Sequence, residues 1–353
     1  MITTPSPSSA GGRGRGIGAF EHVRWGEASQ KSDRPHGFAL QWIAYWQSLA
    51  EEQIRMIFAQ RVSHLRAEGA YQVLARAQEL ERAGRDVIHL EIGEPDFETP
   101  PHISLAGIKA ISEGRTKYNP PRGLVDLREI IAEDAGPRRG MTIRPQPVII
   151  APGAKPNLFF PTLALVEPGV EVIYPDPGFP TYEAMIELAG GTPVPVPLLE
   201  ENDFSFDLDA FDRLVSDRTK LIVLNSPGNP TGSIIPLADL EHIAAAAQRH
   251  DCWVLSDEIY RRILFDGVDA PSIAALPGMA ERTIIMDGFS KTYAMTGWRL
   301  GFGIMPEALA DRVALLLTHS VGCTAHFTQY AGIEAIRSSQ AGVDAMVAAY
   351  QRR

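Results

Sequence analysis

The sequence predicts an α/β protein built on a mostly parallel sheet covered by helices on both faces. Three observations carry this. Short Val- and Ile-rich runs alternate with longer segments of helical period, the rhythm of strand, crossover helix, strand. Polar and glycine-rich clusters sit where those runs end, as ligand-binding loops do in parallel sheets. Hydrophobic residues at 45% and charged residues at 22% of 353 supply a large buried core, and the length corresponds to about two domains.

In chain order, residues 1–37 run through Thr3-Thr4-Pro5-Ser6-Pro7-Ser8-Ser9 and the glycine-rich Gly11 to Gly18, a composition with too little apolar surface to order itself. No strand precedes these glycines and no amphipathic helix follows, so they do not read as a nucleotide fingerprint. Helical periodicity begins after Met56, with Val62, Leu65, Ala70, Val73, Leu74, Ala77 and Leu80. The expectation is that 1–55 is an unstructured or spurious extension and that Met56 is the natural start. Strands are predicted at Val87–Ile92, Val148–Ile150, Val170–Tyr174, Leu221–Leu224, Trp253–Leu255, Ile284–Met286 and Leu300–Ile304. Helices are predicted over 102–113, 124–134, 157–166, 180–189, 208–215, 237–249 and 306–319. A last helical face, Val343, Met346, Val347 and Tyr350, stops at Arg353 without a capping residue, which suggests a chain broken inside an element.

Charge and cysteine content narrow the function. A net charge of −10 opposes a phosphate backbone and argues against general nucleic-acid binding. Cys252 and Cys323 have neither disulfide-framework nor zinc-ligand spacing. No stretch approaches the ~18 apolar residues of a membrane span and no leader with a cleavage site is visible, so a cytoplasmic location is expected.

Five clusters follow strand signals: Gly93-Glu94-Pro95-Asp96-Phe97; Tyr118-Asn119-Pro120-Pro121-Arg122-Gly123; Ser226-Pro227-Gly228-Asn229-Pro230-Thr231-Gly232; Ser256-Asp257-Glu258-Ile259-Tyr260; and Ser290-Lys291 with Gly297-Trp298-Arg299. In this order and spacing the chain, over about 57–353, resembles the fold-type I pyridoxal-phosphate (PLP) aminotransferases of class I and II, of the aspartate aminotransferase kind. The residues make chemical sense beside that likeness. A lysine such as Lys291, at a strand exit in partly apolar surroundings, has its charged form disfavoured and its amine freed to condense with an aldehyde. Asp257, ending a strand, can hold a pyridine nitrogen protonated so that the ring draws in electrons; taken alone it could as well cap a turn, as could Glu258 and Asp266. The loop Gly153-Ala154-Lys155 opens a helix whose first N–H groups can cradle an anion, and a guanidinium such as that of Arg299 suits a phosphate.

The resemblance implies more specific roles. Lys291 becomes the Schiff-base residue and the base and acid that moves the Cα proton; Asp257 becomes the partner of the ring nitrogen; and Tyr260 and Asn229 become donors to the cofactor's phenolic oxygen. It assigns the phosphate to Gly153, Ala154, Lys155, Arg299 and Ser290, with Gly288 standing where the family often has a further serine. Phe179 would stack on the ring, Gly93 and Asn229 would meet substrate, and Tyr118 would reach the neighbouring subunit's site in a homodimer. The implied organisation is a piece of a smaller α/β domain over 56–100, a PLP-binding domain over 101–338, and the start of a connecting helix over 339–353. The family's substrate-carboxylate arginine lies further along than Arg353, so a fragment with an incomplete small domain is expected. The implied activity is transfer of an amino group between an L-amino acid, aspartate for preference, and a 2-oxo acid such as 2-oxoglutarate. The rival readings are a C–S lyase of the same fold, a fragment that only binds PLP, and a PLP-binding regulator, for which the N-terminal stretch offers no DNA-binding module.

Overall fold

Strand register and side-chain alternation organise the molecule around one sheet. The computed structural model describes residues 58–63, 65 and 69–353, within a unit that spans Phe58–Arg353; the other unit, Met1–Ile57, and with it the expectations about 1–55 and Met56, lies outside the described residues. The strands are β1 (Val148–Ala151), β2 (Glu171–Asp176), β3 (Thr192–Leu199), β4 (Ser205–Phe206), β5 (Thr219–Asn225), β6 (Trp253–Asp257), β7 (Thr283–Gly288) and β8 (Gly301–Ile304). Their order is β1-β8-β7-β6-β5-β2-β3-β4. From β7 to β3 all pairs are parallel, whereas β8 runs antiparallel to both its neighbours and β4 antiparallel to β3.

Because successive side chains leave a strand on opposite faces, an apolar run buries both. In β1, Val148 and Ile150 join the core against helices Val125–Ala135 and His326–Arg337, while Ile149 joins the opposite core with Leu158, Ile186 and Val313. In β6, Val254 and Leu255 divide between faces in the same way. The predicted helices stand within a residue or two of expectation, as Pro101–Ser112, Val125–Ala135, Pro156–Leu165, Thr181–Ala189, Leu208–Leu214, Leu237–Arg249 and Glu307–Thr318. Asp207 starts one of them by accepting the Ala210 N–H at 2.9 Å. The last helical face forms Ala341–Arg352. Among the described residues no helix is long and apolar enough to cross a membrane.

The structure overturns one expectation and adds elements that the sequence pattern does not show. Val87–Ile92 is not a strand: among the described residues it has no ladder partner, and Ile88 and Leu90 are 84% and 89% exposed. A hydrophobic run becomes a strand only when a neighbour takes up its backbone groups. Strand β3 was hidden by Pro193, Pro195 and Pro197, which suggest a loop. Thr192 donates its N–H to Val170 at 2.9 Å, so the alternate residues Val194, Val196 and Leu198 also turn their N–H groups toward β2. The prolines then fall on the other edge, where only Leu198 and Leu199 meet β4, and they blunt that edge against further pairing. Helix His326–Arg337 also went unpredicted, although it buries Thr328, Gln329, Ala331 and Ile333.

Gly301 lets β8 lie against the loop after β1. A Cβ there would stand 2.4 Å from the Gly153 carbonyl carbon and 2.5 Å from the Ala154 nitrogen. Gly301→Ala should therefore cost about 1–3 kcal/mol in urea-unfolding stability, as overpacking does. Gly342→Ala, on the exposed face of the last helix with only Pro100 at 3.6 Å, should be neutral or stabilising by about 0.5–1 kcal/mol.

Candidate active site

The carboxyl ends of β5, β6 and β7 lie side by side, with Asn225 opposite Asp257 and Asp257 opposite Met286. Asp257 is buried, and its carboxylate accepts the Tyr182 hydroxyl at 2.7 Å and the Ile259 N–H at 3.2 Å. Burial pushes its pKa up from 3.8 to about 7, with the nearby Asp287 and Glu258 adding to the rise and the two donors opposing it. Burial and the Asp257 carboxylate likewise drive the Tyr182 phenol well above its ordinary range. Asn225 organises the next loop: its amide donates to the Asp257 carbonyl at 3.1 Å and to Pro227 at 3.2 Å, and its side-chain oxygen accepts the Asn229 N–H at 2.6 Å. The three acidic candidates thus have different surroundings. Glu258 is paired with Arg139, and Asp266 is bound to Gln351 near the surface.

Lys291 follows β7 by three residues and is half-buried, donating to the Gly93 carbonyl. Its ammonium lies 5.9 Å from the Tyr260 ring centroid. Burial holds its pKa below the usual lysine value; Lys155 and Arg299 reinforce the lowering, while Glu94 and Asp257 oppose it. Burial, with Asp257 nearby, pushes the Tyr260 phenol up to about 12. Lys291, Asp257 and Tyr260 are therefore one electrostatic neighbourhood, joined on one side by two further cations.

Those cations meet the loop after β1. Gly153 adopts φ +93°, and a Cβ there would come 2.3 Å from Arg299 Nη2, so only glycine lets the guanidinium lie on this backbone. Arg299 itself has φ +54° and donates to the Thr296 carbonyl at 2.9 Å. Gly153-Ala154-Lys155 leads into helix Pro156–Leu165, whose positive end faces this loop. Lys155 stands 4.9 Å over the Phe179 ring, and Phe179 packs edge-on against Tyr182 at 5.7 Å, linking the loop to the Asp257 partner. Asn229 is half-buried on the loop held by Asn225, and Ser290, also half-buried, accepts the Met295 N–H on its carbonyl. Tyr118 is set apart, 96% exposed, on a segment tied down by Asn119 donating to Thr324 and by Gln329 bonded to Asn119 and Leu124.

This arrangement fits PLP on grounds of charge. Arg299, Lys155 and a glycine cradle form a cationic end that calls for an anion such as a phosphate. Asp257 supplies a buried carboxylate for a protonated ring nitrogen, and Lys291 an amine of weakened basicity for an aldehyde. Tyr182, Asn225 and Arg139 were not singled out by sequence reasoning. The weak signal for Tyr182 was its position three residues after Phe179, on the same side of a helical turn.

The family model described as "Aminotransferase class I and II" matches residues 85–353. An aspartate aminotransferase of Pyrococcus abyssi is 42% identical over 272 residues, 76% of this chain and 70% of that protein. An aromatic-amino-acid aminotransferase of Thermococcus litoralis is 40% identical over 270 residues, 76% of this chain and 69% of that one. The solved aspartate aminotransferase from Thermus thermophilus with maleate superposes with a TM-score of 0.81 at 36% identity, covering 84% of this chain and 77% of that structure.

The raised pKa of Asp257 has a sign that can be measured. The folded state holds this proton more tightly than the unfolded state, so the contribution to stability is full below pH 3.8 and is lost as pH rises to about 7. In the coenzyme-free protein, Asp257→Asn should flatten that part of the fall in the urea midpoint between these pH values. An unchanged slope would mean that Asp257 does not titrate there.

Proposed function

We infer our reading from one premise: this chain belongs to the class I and II aminotransferases, and it is a PLP-dependent aminotransferase. We propose that it moves amino groups between an L-amino acid, with aspartate as the favoured donor, and a 2-oxo acid such as 2-oxoglutarate. The observation that carries the reading is the convergence of a weakly basic lysine, a buried carboxylate and a cationic glycine cradle. The acidic substrates follow from the names of the relatives called aspartate aminotransferases.

Bound PLP supplies an aldehyde that captures amines and a cationic ring that withdraws electrons from the substrate's Cα. The chain's residues do the rest. Arg299, with the N–H groups of Gly153, Ala154 and Lys155 and the Ser290 hydroxyl, would hold the phosphate; Phe179 would pack against the ring; and Asp257 would keep the ring nitrogen protonated. Asn229 and Tyr260 would donate to the phenolic oxygen, and Asn229 and Gly93 would meet substrate. Lys291 would hold the coenzyme through its amine, and the same amine would take the proton from the substrate's Cα and return it. Its amine suits that exchange because burial and two neighbouring cations leave it nearer to neutral pH than an ordinary lysine.

The assembly and organisation are part of the same proposal. Tyr118 extends from the body of the chain, and on the same side of the sequence Leu105 and Ile108, each 62% exposed, offer an apolar helix face; both support a homodimer in which Tyr118 completes the partner's site. Residues 56–100 and 339–353 are assigned to the small domain and its connecting helix, and 101–338 to the PLP-binding domain. The free cysteines Cys252 and Cys323 support a reducing cytoplasm.

Borohydride reduction in the presence of PLP, followed by peptide mass mapping, should label Lys291, and Lys291→Ala should lose both label and amino transfer from aspartate to 2-oxoglutarate. Labelling of another lysine, with activity retained in Lys291→Ala, would refute the assignment.

A further inference from the structure

Beside the proposed site lies a buried ion cluster that amino transfer as described does not use. Arg139 sits in the turn Pro137–Arg139 after helix Val125–Ala135, with its side chain 1% exposed. Its Nε donates to Glu258 at 2.7 Å, its Nη2 to Asp287 at 2.7 Å and its Nη1 to the Ala135 carbonyl at 3.2 Å. Glu258 also accepts the Ser256 hydroxyl at 3.0 Å and the Ser272 hydroxyl at 2.6 Å, with Arg261 3.8 Å away. Asp287 accepts the Gly288 N–H at 2.7 Å. Glu258 directly follows Asp257, and Asp287 lies on the neighbouring strand one residue past the register partner of Asp257. Alternation puts Glu258, like Ser256, on the face of the sheet that carries Arg139 and the half-buried Asp287, and Asp257 on the other face one residue away.

We propose that Arg139 is a positioning residue for amino transfer: by binding Glu258 and Asp287 together on one face of the sheet, it leaves Asp257 on the other face available to a cationic ring nitrogen. The proposal rests on the reading of Asp257 given above. The physical reason is that like charges on an adjacent residue and a neighbouring strand disfavour ionisation, and in a buried setting they do so with little screening. Both Glu258 and Asp287 act on Asp257 in that sense. Arg139 counters them at the source, which a lone hydrogen bond from Tyr182 cannot do. The other groups facing Asp257 are the Tyr182 and Tyr260 phenols and the Lys291 amine; Arg138, next to Arg139 in the chain, is paired with Asp134 at 2.9 Å.

The test follows Asp257 itself in coenzyme-free protein, by difference infrared spectroscopy of its protonated carbonyl band, with Asp257→Asn identifying the band. Arg139→Met should raise the Asp257 midpoint by about one pH unit or more, a tenfold change in proton affinity. The triple variant Arg139→Met/Glu258→Gln/Asp287→Asn, which removes the offending charges too, should return it to the wild-type value. If Arg139→Met does not fold, Asp287→Asn with Arg139 in place should lower the midpoint by about as much. A merely structural Arg139 would change thermal stability and leave the midpoint where it was. An unmoved midpoint in folded Arg139→Met or in Asp287→Asn, or a triple variant that stays shifted, overturns the proposal. Lys291 trapping would be unaffected by that failure, so the two readings fail separately.

Discussion

A carboxylate buried at the end of a central strand is the constraint on which this structure turns. Asp257 can be ionised only if its surroundings offset the loss of water, and nearly every polar residue nearby bears on that balance. Tyr182 and the Ile259 N–H favour the charge, Glu258 and Asp287 oppose it, and Arg139 binds both opponents. What remains is a negative group matched to a cationic ring nitrogen, a short way from an amine whose own charge is disfavoured by burial. The two perturbations run in opposite directions along one crevice, which suits a coenzyme with a cationic ring at one end and an electrophilic carbon near the other.

The sheet makes this possible through direction and register. Parallel β5, β6 and β7 all end on the same side, so Asn225, Asp257 and the loop to Lys291 emerge together although scores of residues separate them in sequence. The antiparallel β8 adds what parallel strands alone could not. It returns the chain from Arg299 alongside β1, so that the guanidinium and the Gly153 backbone come into contact. Glycines 153 and 301 pay for that contact in flexibility, and each is occupied by the other's surroundings.

Much of this was legible in the sequence because it is local. Runs such as Leu221–Leu224 and Ile284–Met286 announce buried strands, and polar clusters directly after them announce a ligand edge. What escaped depends on partners distant in sequence. Val87–Ile92 has the composition of a strand but no neighbour, while β3 has the neighbour but a composition, three alternating prolines, that hides it. Arg139 looks like one of many basic residues until Glu258 and Asp287 close on it from 119 and 148 residues away. Tyr182 looks like core packing until its hydroxyl meets Asp257 from 75 residues away. Residues in compact motifs could be singled out as candidates; Arg139 and Tyr182, which touch those candidates from afar, could not, since nothing in their own neighbourhoods records the contact.

The central claim is that Asp257 holds a coenzyme ring nitrogen in its protonated form. Nitrogen-15 NMR of PLP labelled at that nitrogen, bound to the protein at neutral pH, reads it directly. The account predicts a protonated pyridinium resonance that reverts to the neutral ring in Asp257→Ala. A neutral nitrogen in the wild-type protein, or a pyridinium signal indifferent to that substitution, would contradict it.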